Sequence, residues 1–303
     1  MSADFYAFGE ILWDCLSSGK HAGGAPFNVT AHLAQIGVYS ALISCVGRDP
    51  LGDEILAVAK DKRVDIEFVA RARIGLATGT VLVTLDEFHN ATYELVQPAA
   101  WDEIRVPDEA LAAVTQARAF IYGSLAGRSP YNLEQLSRLL EVQGPLKFFD
   151  VNLRPPFADP TLVLTLAKRA DVLKLNDGEL GRLAHWIQTG EEAPDTPRDD
   201  AAIARHSETL AQTTGVRRIC VTRAEEGAAL WDNGNLTTAP APHVEVRDTV
   251  GAGDAFMAGL MVGLTKGMET RKVLENACRL GAYVASHHGA TPLLPPKLTE
   301  PLR

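Results

Sequence analysis

Asp248-Thr249-Val250-Gly251-Ala252-Gly253-Asp254-Ala255-Phe256 lies between a short alternating run, Val244 to Val246, and the most apolar helix-like run of the chain, Ala255 to Leu264. The alternation predicts a strand and the small apolar residues a buried helix, so the chain must turn sharply between them. Two glycines separated by alanine leave the backbone N–H groups of Gly251 to Asp254 uncovered by side chains, where a starting helix has unpaired donors. Such a turn is an anion site, to which the helix dipole contributes about 0.3–2 kcal/mol besides direct hydrogen bonds. Asp254 puts a carboxylate beside it, which binding alone would disfavour; a proton acceptor for a nucleophilic hydroxyl explains the acid. A glycine turn with an aspartate helix cap accounts for the same residues.

The 303 residues, 46% of them hydrophobic, suffice for a sizeable core, and we expect a single domain over residues 1–303. A net charge of −9 without clustered Lys and Arg argues against nucleic acid or an anionic membrane as partner. Met1-Ser2-Ala3-Asp4 lacks a basic and then apolar leader, and the apolar run at Ala255 is too short to span a bilayer, so a cytoplasmic location is expected. Cys15, Cys45, Cys220 and Cys278 form no Cys-x-x-Cys pair and read as reduced, packed thiols, and adjacent His287 and His288 make a poor metal site.

Phe5 to Phe8 reads as the first strand, with Ile11 to Asp14 continuing extended. No Gly-x-Gly-x-x-Gly follows it, so the dinucleotide reading loses its main support. Gly23-Gly24-Ala25-Pro26-Phe27-Asn28 opens a helix through Val29, Leu33 and Ile36, with Asn28 and Asp14 as hydrogen-bonding residues suited to hydroxyls, or as cap and turn residues. Strand-like and helix-like segments then alternate: 40–46 and 51–62, 119–122 and 132–142, 147–151 and 160–170, 172–175 and 179–186, then a helix over 207–214 and a strand over 218–221. That order predicts an α/β, doubly wound, mainly parallel sheet flanked by helices. Thr78 to Asp86 and Ala91 to Val96, joined by Glu87 to Asn90, break the alternation as a β hairpin outside the sheet, and Asn233-Gly234 predicts a second tight hairpin over 228–239. Gln188 to Asp200 reads as a surface loop.

Polar clusters follow the predicted strands, where open α/β sheets bind ligands. Asp150-Val151-Asn152-Leu153-Arg154 projects its polar residues to one side if it stays extended. Asn176-Asp177-Gly178-Glu179 sets an amide and a carboxylate one helical turn apart, which suits a hydrated magnesium ion with phosphates and equally a helix capping box. Thr222-Arg223-Ala224-Glu225-Glu226-Gly227 follows a third strand.

From Phe8 to about Pro295 the chain resembles the ribokinase-like carbohydrate kinases, the PfkB family. The family's Asp-Thr-x-Gly-Ala-Gly-Asp stands intact at Asp248 to Asp254, its Gly-Gly-x-x-x-Asn at Gly23, Gly24 and Asn28, and its Asn-x-x-Glu at Asn176 and Glu179. The resemblance implies a ribokinase-like fold with a small β lid, contributed by roughly 10–22 and 74–100, and MgATP-dependent phosphorylation of a primary hydroxyl. It implies Asp254 as base, with Gly251, Ala252 and Gly253 as anion hole. Asp14, Gly23, Gly24, Asn28 and Arg154 would bind the sugar, Asn176, Thr222, Gly227 and Asn276 (with Gly251 and Gly253) the nucleotide, and Glu179 the magnesium. Potassium activation and a homodimer are left open by the resemblance. Gly-Glu-Ile-Leu-Trp-Asp, Gly-Gly-Ala-Pro-Phe-Asn-Val and Asp-Val-Asn-Leu-Arg-Pro-Pro look most like bacterial fructokinases. Leu12-Trp13-Asp14 replaces the Asn-x-Asp of ribokinases, and Thr222-Arg223-Ala224 the usual Thr-x-Gly. Other acceptors of this family, ribose, 2-keto-3-deoxygluconate or a nucleoside, and a non-catalytic sugar-binding regulator remain as alternatives. The P-loop sequence is absent, and Phe256 stands where a protein kinase needs a third glycine.

Overall fold

The apolar runs become the strands of a buried sheet, as their β-branched and aromatic content dictates. A computed structural model describes residues 3–16, 19–85, 91–191 and 199–303. Its strands are β1 (Phe5–Phe8), β2 (Leu12–Leu16), β3 (Gly19–Gly23), β4 (Ser40–Val46), β5 (Val69–Arg71), β6 (Gly79–Leu85), β7 (Ala91–Leu95), β8 (Ala119–Gly123), β9 (Leu146–Asp150), β10 (Val172–Asn176), β11 (Arg218–Thr222), β12 (Ala228–Asp232) and β13 (Asn235–Ala239). Its helices are α1 (Ala25–Ile36), α2 (Pro50–Asp61), α3 (Asp108–Thr115), α4 (Pro130–Glu141), α5 (Pro160–Ala167), α6 (Asp177–Thr189), α7 (Asp200–Thr214), α8 (Ala252–Thr265), α9 (Thr270–Ala285) and α10 (Pro296–Thr299).

The main sheet runs β13-β12-β11-β10-β9-β8-β1-β4-β5, parallel from β11 to β5, with the antiparallel hairpin β12–β13 at one edge. Apolar side chains fill both faces. Leu136 and Leu139 of α4, Leu166 of α5, Leu180 of α6 and Leu210 of α7 cover one. Phe27 and Leu33 of α1, Ile55 of α2, Met257 and Leu260 of α8 and Leu274 of α9 cover the other. Each such side chain contributes about 1.5–3 kcal/mol when fully buried. The chain runs from β1 out to β5 and then returns to build β8 to β11 on the other side of β1, so the sheet order reverses between β1 and β8. Ligands of open α/β sheets bind at the carboxyl ends of the strands beside such a reversal.

A second sheet, β3-β2-β6-β7, stands apart from the first. Its strands come from the two stretches expected to form the lid, with β3 extending one residue further to Gly23. Trp13 Nε1 donates to Leu51 O at the start of α2 (3.0 Å). Asp49 caps α2 through Gly52 N (2.8 Å) and also accepts Thr78 N (2.8 Å) and Thr78 Oγ1 (2.6 Å) just before β6. These bonds fasten both halves of the small sheet to α2.

Three local expectations are corrected. Leu12 to Asp14 does not extend the first strand: Gly9, at φ 148°, turns the chain out of the main sheet, where Pro26 leaves no room for a Cβ. Val244 to Val246 forms no strand, because β13 already closes that edge of the sheet and the exposed valine run has no neighbour to pair with. The segment after Asp150 does not stay extended, since Asn152 is left-handed at φ 38° and bends it. The Asn233-Gly234 hairpin forms with both residues at positive φ, 48° and 90°, as a primed turn requires. The β6–β7 connection and most of the 188–200 loop lie outside the described residues.

Candidate active site

The glycine stretch forms a sharp turn into α8. Gly251 is left-handed (φ 79°), and a Cβ there would lie 2.3 Å from the Ala290 carbonyl oxygen, so both conformation and space demand glycine. Asp254 sits in the first turn of α8 and is buried. Its Oδ2 accepts a hydrogen bond from Asn28 Nδ2 (2.8 Å), and Asn28 Oδ1 is buried without a partner. Two residues 226 positions apart are thus joined side chain to side chain. Burial pushes the Asp254 carboxyl up to about 6 from its ordinary 3.8, against the Asn28 hydrogen bond; Asp150 raises it further, and Lys174 and Arg154 oppose the rise.

Asp14 is half-buried on β2, and its carboxylate fills the space a side chain at Gly23 would need. Burial raises it to about 6, offset by Arg154 and His21. Gly24, at φ 104°, lets the start of α1 pass within 2.5 Å of the Glu10 carbonyl oxygen, measured from where a Cβ would stand. Arg154 is exposed, and its charge acts on Glu10, Asp14 and Asp254 alike. Of the sugar-site residues expected from sequence, Asn28 contacts the candidate base, and the Arg154 charge acts on both Asp14 and Asp254.

Asn176 and Glu179 form the capping box of α6: Asn176 Oδ1 accepts from Glu179 N (2.8 Å) and Glu179 Oε2 from Asn176 N (2.8 Å). Glu179 Oε1 also accepts from Leu153 N (2.7 Å), pinning the bend after β9. Burial raises the Glu179 carboxyl, while the Asn176 N–H and the Lys174 charge hold it down. Asn176 and Thr222 are register partners at the ends of β10 and β11. Gly227 sits at a close chain crossing, where a Cβ would lie 2.1 Å from Ala239 O. Asn276 is half-buried on α9.

Glu10 and Lys174 escaped the sequence reading. Glu10 Oε1 accepts from Ala25 N (3.2 Å) at the start of α1, and burial, reinforced by Asp254, pushes its carboxyl up to about 7 against two backbone hydrogen bonds and Arg154. With Ser124, Asp150 and Asn152 it lines a narrow cavity between the start of α1 and the carboxyl ends of β8 and β9. Lys174, in register with Asp150 on the neighbouring strand, holds both of its carboxylate oxygens (3.1 and 3.0 Å). The sign each offered in sequence was a charge within an apolar strand context. A larger cavity, about 340 Å³, lies at the opposite edge of the sheet among Asp4, Arg118, Lys266 and Arg303, and no motif residue lines it.

Among the described residues no cluster of three or more His, Cys, Asp or Glu forms a metal cage. The donors at hand suit a hydrated magnesium ion held by phosphates, with a carboxylate reaching it through water.

A mainly parallel sheet flanked by helices, with a separate small sheet and a buried carboxylate at a glycine-rich helix start, has the architecture of the ribokinase-like class. The chain belongs to the pfkB family of carbohydrate kinases, whose sequence profile matches residues 2–297. It is 29% identical over 316 residues to a fructokinase of Escherichia coli, covering 97% of each chain. An uncharacterized sugar kinase of Pyrococcus horikoshii, solved in complex with ATP, superposes with a TM-score of 0.79 at 26% identity over 95% of both chains. Arabidopsis thaliana ribokinase, solved with ribose and ATP, has the same fold, with a TM-score of 0.82 at 21% identity over 100% of this chain and 99% of that one. The protein is a sugar kinase, a phosphotransferase acting on a hydroxyl group.

Proposed function

We propose that the enzyme transfers the γ-phosphoryl group of ATP to the primary hydroxyl of a small sugar, D-fructose giving fructose 6-phosphate, with Asp254 as general base. The observation that carries this reading is the buried Asp254 carboxylate, held by Asn28 at the N-terminus of α8 beside the Gly251 to Gly253 donors. The bond from the γ-phosphorus to ADP breaks, a bond to the sugar oxygen forms, and the hydroxyl proton passes to Asp254. A loose transition state asks first for an oriented hydroxyl and then for a proton acceptor as the bond forms. Asn28 orients the carboxylate through Nδ2 and leaves Oδ1 to accept a sugar hydroxyl, with Asp14, Gly23, Gly24 and Arg154 shaping the rest of the sugar site. Asn176, Thr222, Gly227 and Asn276 line the nucleotide side in this reading. Glu179 would help hold, through water, a magnesium ion carried by the ATP phosphates, and that ion would neutralise their charge. The small sheet serves as the lid of one catalytic unit, excluding water that would compete with the sugar, and the enzyme works in the cytoplasm.

The assignment of fructose draws on the Leu12, Trp13 and Asp14 pattern, the Gly23 to Asn28 loop, and the likeness to the Escherichia coli fructokinase. Sites that pair sugar hydroxyls discriminate by up to about ten-thousand-fold against analogues that leave polar groups unpaired. ADP release with MgATP should give the highest kcat/KM for fructose in a panel with ribose, 2-keto-3-deoxygluconate and adenosine, run with and without K+. A higher value for another acceptor overturns the fructose assignment, and no turnover with any acceptor favours a binding regulator. Sedimentation of the same preparation reports whether the enzyme is a homodimer.

A further inference from the structure

Lys174 is a buried lysine beside the start of a helix, held there by a carboxylate. It lies on β10 with its side chain 9% exposed, and a Cβ added to Gly253 would be 3.2 Å from its Nζ. Helical Cα–Cβ bonds tilt toward the helix N-terminus, so the ammonium lies on the N-terminal side of the first turn of α8. That end of a helix is already positive, and a cation there is disfavoured unless an anion joins them. Burial alone would push the amine down, yet Asp150, Glu179 and Asp254 together hold it above its ordinary range, so it stays charged. Asp150 takes two of its three N–H groups, which leaves one for a ligand.

We propose that Lys174 is a catalytic residue, the second arm of the anion hole, whose ammonium donates a charge-assisted hydrogen bond to the oxygens of the phosphoryl group in transit beside Gly253. Asp150 is its positioning residue: in register on β9, it fixes the ammonium with both oxygens so that no reorganisation is needed as charge develops. The groups facing the ammonium from each packed element are Asp150 of β9, Glu179 of α6, Asp254 of α8 and Cys220 of β11. Three of these four are carboxylates, so an incoming phosphate would meet net repulsion without the lysine. The inference rests on the reading of the 251–254 turn as the phosphoryl site.

Two variants test it, Lys174→Gln, which still offers Asp150 a hydrogen bond, and Lys174→Met, which does not. A sugar-dependent rise in melting temperature counts as evidence of folding, and if Lys174→Met fails it, Lys174→Gln decides. The expected result is a loss in kcat of about a hundred- to a thousand-fold, the usual worth of an oxyanion donor, with the sugar KM within about threefold of wild type. Thermal shift with ADP, magnesium, fluoride and aluminium in the presence of sugar should show the fluoroaluminate-dependent rise abolished, while the rise with sugar alone persists. A folded Lys174→Gln enzyme with kcat within tenfold of wild type and an intact fluoroaluminate response overturns the proposal. Asp254→Asn assayed alongside separates the failures: if it is slow while Lys174→Gln is fast, only the lysine inference falls; if both are fast, the reading of the turn falls too.

Discussion

Asp254 must be ionised to take a proton, yet its surroundings favour the neutral acid. Held at about 6 in the folded protein and near 3.8 when unfolded, it binds more protons in the native state between those values. Stability from this group is therefore greatest below about pH 4 and is lost as pH rises through 6, while activity runs the other way. Glu10 and Asp14, raised to about 7 and about 6, carry the same sign. We expect kcat/KM to fall about tenfold per pH unit below about 6, and the wild-type melting temperature to decline relative to Asp254→Asn as pH is raised from 4 to 8. Parallel pH dependences of the two melts would contradict this account of Asp254. The base and its partner illustrate what a sequence conceals at this scale: Asp254 is conspicuous within its motif, but nothing between positions 28 and 254 announces the Asn28 bond.

Among the elements, the helix starts hold most of the candidate site residues. The Asn176 and Glu179 pair is a capping box in the structure, and Glu179 takes a backbone N–H on each carboxylate oxygen, so Glu179→Gln, which keeps one acceptor, should cost about 1–3 kcal/mol of stability. If Glu179 also acts on magnesium through water, the same variant raises the half-saturating magnesium concentration while sugar KM stays level. An unchanged magnesium titration leaves it as a cap alone. In the loop after β11, Ala224 has φ 47°, the left-handed conformation. Ala224→Gly should raise stability by about 1 kcal/mol through relief of that strain, and a lower melting temperature would contradict it. Periodicity located most strands to within a residue or two because the parallel sheet is buried on both faces and its runs are continuous and apolar. It misread Val244 to Val246 because alternation reports only a chain's own pattern and not the presence of a neighbouring edge. Lys174 was hidden for the same reason: its meaning comes from Asp150, 24 residues away on the adjoining strand.

For the molecule as a whole, the order of segments was enough to predict a doubly wound sheet, because a parallel strand must be reached by a crossover and the crossovers here are helices. The small sheet was visible as the one β-rich interruption, though its fastening to α2 through Trp13, Asp49 and Thr78 depends on contacts between distant segments. Two sheets, a reversal between β1 and β8, and the Asn28 bond to the start of α8 underlie the proposal that Asp254 serves a sugar hydroxyl beside a phosphoryl group. The measurement that tests this most directly is the turnover of Asp254→Asn with fructose and MgATP, with a thermal melt as control. Asparagine keeps the shape and an acceptor for Asn28 but cannot take the proton, so kcat should fall by about a hundred- to ten-thousand-fold in a protein that melts no lower than wild type at pH 8. A folded Asp254→Asn enzyme retaining more than about a tenth of wild-type kcat would contradict the account.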